Sequence, residues 1–236
     1  MFSGLGDRMH LSSMALLFLA VPTAVSAQSV PVPMAQAPVA KVAGSIVSHP
    51  ISPTLRVGVP ENAIYLGSDR FILKALTDCE MHVFIEADAQ RRVRRYYWVH
   101  FETYLPTRPE SRFTYGEIDR KIELWGAAGW VRAQPSQMAR IPAAGSDTEH
   151  FRNLIKRAGY IMPPELMTVR LVRLLDDPKG TGYGREELML VYGEDMAPSK
   201  VKAEEVMTDG KTNVRWRDFE PGLIERAIGS FRVTHS

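Results

Sequence analysis

The stretch from 81 to 103 constrains the fold more than any other part of the chain. Two apolar runs, Met81 to Ala87 and Val93 to Thr103, flank a short polar turn. Runs of this length and composition around a polar turn are typical of an antiparallel β-hairpin. The turn carries Arg91 and Arg92, and Arg94 follows at the start of the second run. The hairpin therefore places a basic tip in front of a group of aromatic residues at 96–98.

Short strand-like runs recur along the rest of the chain. They are Phe71 to Leu76, Arg112 to Ile118, Ile122 to Trp125, Trp130 to Ala133, Thr168 to Leu175 and Glu186 to Tyr192. Strands that come in hairpin pairs, without an alternating strand–helix rhythm, favour an α+β fold. We therefore expect a mostly antiparallel curved sheet or partial barrel, packed against a C-terminal helix and one mid-chain helix.

Two segments carry helix signals. Ser146 and Glu149 form a capping-box pattern in front of apolar residues spaced as one helical face, and Gly159 supplies the end. Near the C-terminus, Pro221 suits a first helical turn and is followed by an apolar stripe, Leu223, Ile224, Ala227, Ile228 and Phe231. Ser199 to Met207 is predicted as a further short helix.

The N-terminal segment has the pattern of a signal peptide. Met14 to Val21 is an apolar run of about 8 residues, well short of the ~20 needed to span a bilayer. Small residues at 25–27 then suit cleavage after Ala27. We expect residues 1–27 to be removed and the protein to be periplasmic or secreted, with no transmembrane segment after cleavage.

The segment 28–60 is rich in proline, which removes backbone donors and fixes φ. We therefore predict a proline-rich linker or arm over 28–60 and a single α+β domain over 61–236. The formal net charge is only +2, so no global field favours nucleic acid, and we expect no nucleic-acid partner. Cys79 is the only cysteine, which excludes a disulfide within the chain, and we interpret it as a small buried hydrophobe.

The hairpin supplies the candidate binding site. With a turn centred near Gln90, strand alternation sets Glu86 opposite Arg94, Phe84 opposite Tyr96 and His82 opposite Trp98, and leaves the other face to the core. The candidate ligand-binding residues are Arg94, Tyr96, Trp98, His82 and His100. Arginine binds carboxylate or phosphate, and aromatic rings supply apolar contact area.

An ordinary two-sided sheet remains open as the alternative. In that case Glu86 and Arg94 form a cross-strand ion pair, and Arg91 and Arg92 only keep the hairpin tip soluble.

These observations favour an exported soluble binding or accessory protein of the bacterial envelope. Its partner would be a small anionic or apolar ligand, a lipid head group or another envelope protein. The alternative is a periplasmic hydrolase or metalloenzyme centred on His82, His100 and either Glu80 or Glu102. Because no catalytic or metal-binding motif supports that centre, we assign no catalytic residue, no metal and no cofactor.

Overall fold

A computed structural model of the protein describes residues 36–50, 55–116 and 119–235. The predicted signal peptide and its cleavage site lie outside these residues. No helix among the described residues is both long enough and apolar enough to cross a lipid bilayer.

The described chain forms fifteen strands and two α-helices. The strands are β1 (Lys41–Ala43), β2 (Ile46–Ser48), β3 (Leu55–Gly58), β4 (Ile64–Leu73), β5 (Thr77–Ala87), β6 (Val93–Tyr104), β7 (Phe113–Thr114), β8 (Arg120–Leu124), β9 (Ala127–Gln137), β10 (Glu165–Leu174), β11 (Tyr183–Gly184), β12 (Glu186–Asp195), β13 (Met207–Thr208), β14 (Lys211–Thr212) and β15 (Arg232–His235). The helices are α1 (Asp147–Arg157) and α2 (Glu220–Ser230).

Seven strands form the main sheet, in the order β4-β5-β6-β12-β10-β9-β8, and every pairing is antiparallel. A smaller sheet has the order β1-β2-β3-β15 and is also antiparallel. The predicted mostly antiparallel sheet is thus confirmed, and the two helices beside it fit the predicted α+β class or a sheet-dominated one. The predicted curvature and partial barrel stay predictions.

The segment predicted as a proline-rich arm contributes strands. β1, β2 and β3 all lie between 41 and 58, and Val47, Leu55 and Val57 are buried in the core. The linker prediction was therefore wrong for these strands. The high proline content of 28–60 led to the wrong prediction because each of the three strands lies between two prolines. The strand residues themselves keep the backbone N–H groups that pairing requires.

The hairpin exists, but its predicted register was wrong by one residue. Glu86 pairs with Arg95, Val83 with Trp98 and Met81 with His100. A bulge between Glu86 and Ala87 leaves Arg94 outside the ladder, which shifts every following pair. Since a one-residue slip moves a side chain to the other face, His82 does not share a face with Trp98 or His100.

Both faces of the main sheet are buried, so alternation could not show which one forms the core. One face packs on α2 and on residues of the smaller sheet, with Tyr97, Val99 and Phe101 in this first core. The other face packs on α1 through Tyr96, Trp98 and their neighbours. The sequence pattern had predicted one core face that combined Met81, Val83 and Ile85 of β5 with Tyr97, Val99 and Phe101 of β6. In the structure these two sets lie on opposite faces of the main sheet.

Helix α1 begins where the capping box predicted. The Ser146 hydroxyl accepts a hydrogen bond from the Glu149 N–H, and the Glu149 carboxylate accepts one from the Gly145 N–H. The apolar stripe of α2 is also buried at Leu223, Ile224 and Ala227. The helix predicted over 199–207 is instead two short 3-10 turns, Ala197–Ser199 and Ala203–Glu205.

Candidate functional site

The five predicted site residues separate into three places. Tyr96, Trp98 and His100 share one face of β6 and are buried, whereas His82 lies on the opposite face. The Arg94 guanidinium is exposed and forms ion pairs with Asp88 and Asp195, both at 2.7 Å. Glu86, its predicted partner, instead pairs with Arg95 at 3.1 Å and accepts a hydrogen bond from the Tyr97 hydroxyl.

His82 is a fully hydrogen-bonded core residue. Its Nε2 lies 2.9 Å from a Glu80 carboxylate oxygen, and its Nδ1 lies 3.0 Å from the Tyr65 hydroxyl. Because His100 faces the other side of the sheet, the metal centre considered from the sequence, with both histidines, does not form. The two imidazoles therefore lie in different cores of the protein.

Trp98 and Tyr96 lie under helix α1. The Trp98 indole stacks on the Phe151 ring, with centroids 5.1 Å apart and planes inclined by 9°. The Tyr96 ring lies across Gly193, where a Cβ atom would come within 2.0 Å of Tyr96 Cε1. A glycine at 193 is therefore required for this ring to lie flat on the sheet.

Helix α1 leaves part of this face uncovered. The helix contacts β4 and β5 and does not cover β12, β10 and β9, which follow β6 in the sheet. These three strands form the floor of a groove of about 260 Å³. We call this cavity the α1 groove. It is lined by Tyr96, Trp98, Arg132, Gln134, Ser136, Met138, Asp147, Thr148, Phe151, Arg152, Leu166, Thr168, Arg170, Met189 and Val191.

Three arginines give the α1 groove its positive character. Arg132 and Arg170 lie directly opposite each other on β9 and β10. Arg170 pairs with Asp119 at 2.7 Å, whereas Arg132 is exposed and has no ion pair within the described ranges. Arg152 donates to the backbone carbonyls of Met138 and Arg140, and burial lowers its pKa.

A cluster of buried ionisable groups lies on the same face, at the end of the sheet away from the hairpin tip. Cys79, Glu102 and Glu187 form one row across β5, β6 and β12, and His100 lies in the next row. Burial raises the pKa of Glu102, and burial together with the Glu102 charge raises the pKa of Glu187. Asp147 acts electrostatically on both carboxyls and also lines the α1 groove.

His100 is the least satisfied member of this cluster. Its side chain is fully buried, and neither ring nitrogen has a hydrogen-bond partner in the part of the chain that the structure describes. Burial lowers the pKa of His100 to about 3, so the imidazole is neutral. The cluster thus contains a neutral imidazole, a thiol and carboxyl groups, and the nearby Arg170 charge offsets only part of the rise in the pKa of Glu187.

Arg132 and Arg170 of the α1 groove were not predicted from the sequence. The signal was present in β9, where Arg132, Gln134 and Ser136 alternate with Val131, Ala133 and Pro135. That pattern indicates a strand with one polar face. The meeting of Cys79 with Glu102 could not be found in the same way, because it depends on the hairpin register.

Comparisons of the chain with protein-family models, with curated protein sequences and with solved structures gave no match.

Proposed function

We propose that the protein binds a small amphipathic anion in the α1 groove. The observation that carries this proposal is the pair Arg132 and Arg170, set directly opposite each other beside a floor of apolar and aromatic side chains. Like charges placed opposite each other in a sheet destabilise the pairing. A bound carboxylate or phosphate between them removes that repulsion and gains charge-assisted hydrogen bonds.

The apolar floor of the groove favours a ligand with an apolar portion. Trp98, Met189 and Val191 present ring, thioether and branched aliphatic surface next to the arginine pair. Most ligand sites combine a largely apolar lining with a few polar groups that fix orientation. The ligand class is therefore a molecule with one anionic group and a short apolar or aromatic portion, which includes lipid-like molecules.

The sequence supports a location in the envelope for this binding activity. The apolar run Met14 to Val21 and the small residues before Gln28 have the pattern of a cleaved export signal. An exported binding or accessory protein meets lipid-derived and other small anions outside the cytoplasm. N-terminal sequencing of the protein purified from a bacterial periplasm tests this, and a chain that still begins at Met1 contradicts export with cleavage.

Octanoate is a suitable probe, with octanol as its matched neutral control. Isothermal titration calorimetry should show octanoate binding at 1:1 stoichiometry and much weaker binding of octanol. Arg132→Gln and Arg170→Gln should each weaken octanoate binding by about 10-fold or more, since a hydrogen bond to a charged group contributes about 1.5–3 kcal/mol.

Arg120→Gln provides the matched control, since Arg120 is an exposed arginine of β8. It pairs with Val131 and therefore lies on the other face of the sheet. This variant should bind octanoate as the wild type does. Equal affinity for octanoate and octanol, or no effect of Arg132→Gln, would overturn the proposed anion site.

A further inference from the structure

Three potential metal ligands converge at the buried end of the main sheet. Cys79 lies opposite Glu102 in the β5–β6 ladder, and His100 occupies the neighbouring position on the same face of β6. One ligand atom from each residue lies within 4.8 Å of the other two, and all three residues are buried. The set differs from the one considered from the sequence, which joined His100 to His82.

His100 indicates that this convergence is a binding site. A buried imidazole normally has a hydrogen-bond partner on at least one nitrogen, because an unpaired buried polar group is costly. Among the described residues His100 has none, and its Nε2 lies 3.7 Å from a Glu102 carboxylate oxygen, too far for a hydrogen bond.

We propose that Cys79, His100 and Glu102 bind a divalent transition-metal ion of the zinc class. Thiolate, imidazole and carboxylate are all zinc ligands, and a thiolate disfavours Mg²⁺ and Ca²⁺. Metal–ligand bonds of about 2.0–2.3 Å in a tetrahedral site set ligand atoms roughly 3.3–3.6 Å apart. Small side-chain movements therefore suffice to bring the three ligand atoms to bonding distance of one ion. The fourth coordination position of the tetrahedral metal is left for water or another ligand.

The Cys79 thiolate and the Glu102 carboxylate together balance the charge of a divalent ion. Glu187 lies opposite Glu102 in the sheet, and Asp147 adds a third carboxyl group nearby. Binding displaces the Cys79 thiol proton to solvent, together with the Glu102 proton where that carboxyl is protonated, because thiolate and carboxylate are the ligating forms. The Thr77 hydroxyl lies 3.5 Å from Cys79 Sγ and holds the sulfur in place.

Cobalt(II) is the informative probe, because a thiolate bound to it gives a charge-transfer absorption band. Since Cys79 is the only cysteine, such a band can arise only from this site. The full chain should be loaded with Co²⁺ both by incubation and by refolding with the ion, so that slow entry into a buried site does not prevent binding. We expect one Co²⁺ per chain, the charge-transfer band, and its loss when Zn²⁺ is added in competition.

Variants test each ligand separately. Cys79→Ser should abolish the band, and His100→Gln and Glu102→Gln should weaken Co²⁺ binding by about 100-fold or more, which exceeds the usual effect of outer-shell changes. His82→Gln is the matched control, because it removes a buried histidine from the opposite face of the same hairpin. This variant should retain the band and bind Co²⁺ with unchanged affinity.

A second measurement keeps the test decisive if a variant fails to fold. Binding to the native state alone raises stability, so Zn²⁺ should shift the urea midpoint of the wild type upward. Zn²⁺ that leaves the wild-type midpoint unchanged, or Co²⁺ loading without a charge-transfer band, overturns the proposal and shows that Cys79, His100 and Glu102 do not bind the metal. Either result leaves the octanoate experiment on the α1 groove unaffected.

Discussion

Arg132 of β9 and Arg170 of β10 face each other directly across two antiparallel strands of the main sheet. Asp119 forms an ion pair with Arg170 at 2.7 Å and offsets part of the repulsion between the two arginines, whereas Arg132 has no counter-ion within the described ranges. Direct opposition of like charges costs up to about 1 kcal/mol of folding free energy. The remaining repulsion destabilises the fold, and an anion bound at the proposed site would remove it.

Arg132→Gln should therefore stabilise the protein while it weakens ligand binding. We expect the free energy of unfolding at low salt to rise by about 0.5 kcal/mol, because one member of the repelling pair is removed. The gain should shrink as salt is added, since both guanidinium groups are partly exposed and the Debye length falls to about 10 Å at 0.1 M. Urea denaturation at two ionic strengths measures both effects.

The control for this prediction is again Arg120→Gln, which should change stability by less than about 0.5 kcal/mol at either ionic strength. A loss of stability in Arg132→Gln at low salt would show that Arg132 makes a favourable interaction within the fold. The explanation of the arginine pair as an anion site would then lose its physical basis.

Trp98 stabilises the fold through α1. Its indole is 6% exposed and stacks on Phe151 of the helix. Replacing a large buried aromatic residue by alanine removes its transfer free energy and leaves a cavity, at a cost of about 3–5 kcal/mol. Trp98→Ala should lower the free energy of unfolding by that amount in urea denaturation.

Tyr183→Ala is the comparison for Trp98→Ala, because the Tyr183 side chain is large but 63% exposed. We expect a change below about 0.5 kcal/mol. A Trp98→Ala variant as stable as Tyr183→Ala would contradict the packing of α1 on this face of the sheet.

Adjacent arginines at the hairpin tip should behave differently. Arg91 donates to the backbone carbonyls of Ala158 and Gly159 at the end of α1, and its guanidinium lies 4.3 Å from the centroid of the Tyr160 ring. Arg92 is exposed, and its hydrogen bonds within the described ranges are backbone ones: its N–H donates to the Asp88 carboxylate and its carbonyl accepts from the Asp88 N–H. The alternative of an ordinary two-sided sheet, considered from the sequence, had assigned both side chains to solvent.

We expect Arg91→Ala to cost about 1–2 kcal/mol, since it removes charge-assisted hydrogen bonds and a cation–π contact. Arg92→Ala should change stability by less than about 0.5 kcal/mol. Hydrogen exchange adds a local readout, because amides in the last turn of α1 should exchange faster only in Arg91→Ala. Equal effects of the two substitutions would show that the tip does not hold the helix.

Local sequence patterns predicted the strands and helices of this fold better than they predicted how the strands pair. The capping box located α1 because its hydrogen bonds join residues close in sequence, Ser146 with Glu149. The hairpin register depends on a bulge at Glu86, which alternation does not reveal when both faces of a strand are apolar. A single-residue error there moved His82 next to His100 and hid the approach of Cys79 to Glu102.

The candidate site was only partly predictable for the same reason. Tyr96 and Trp98 were found because aromatic residues are conspicuous in a short strand, and the structure places both at the α1 groove. Arg132 and Arg170 are 38 positions apart in sequence and meet only through the β9–β10 ladder. The uncovered part of the sheet depends on where α1 packs, which no local pattern specifies.

Glu80 should make stability depend on acid pH. Burial alone would raise the pKa of Glu80, but hydrogen bonds from His49, His82 and the backbone N–H groups of Val39 and Ala40 lower it well below its usual range. A carboxyl whose pKa is lower in the folded state stabilises the fold above its unfolded pKa of about 4.3. That contribution disappears as the pH falls toward the folded pKa.

Glu80→Gln should therefore cost about 1.5–3 kcal/mol at neutral pH, and the difference from the wild type should narrow as the pH falls below about 4. Urea denaturation between neutral pH and about 3 tests this, together with faster hydrogen exchange of the Val39 and Ala40 amides in the variant. Glu61→Gln, which changes an exposed carboxyl, should follow the wild-type curve throughout. A wild-type advantage over Glu80→Gln that is the same at every pH would show that the charge of Glu80 does not stabilise this part of the fold.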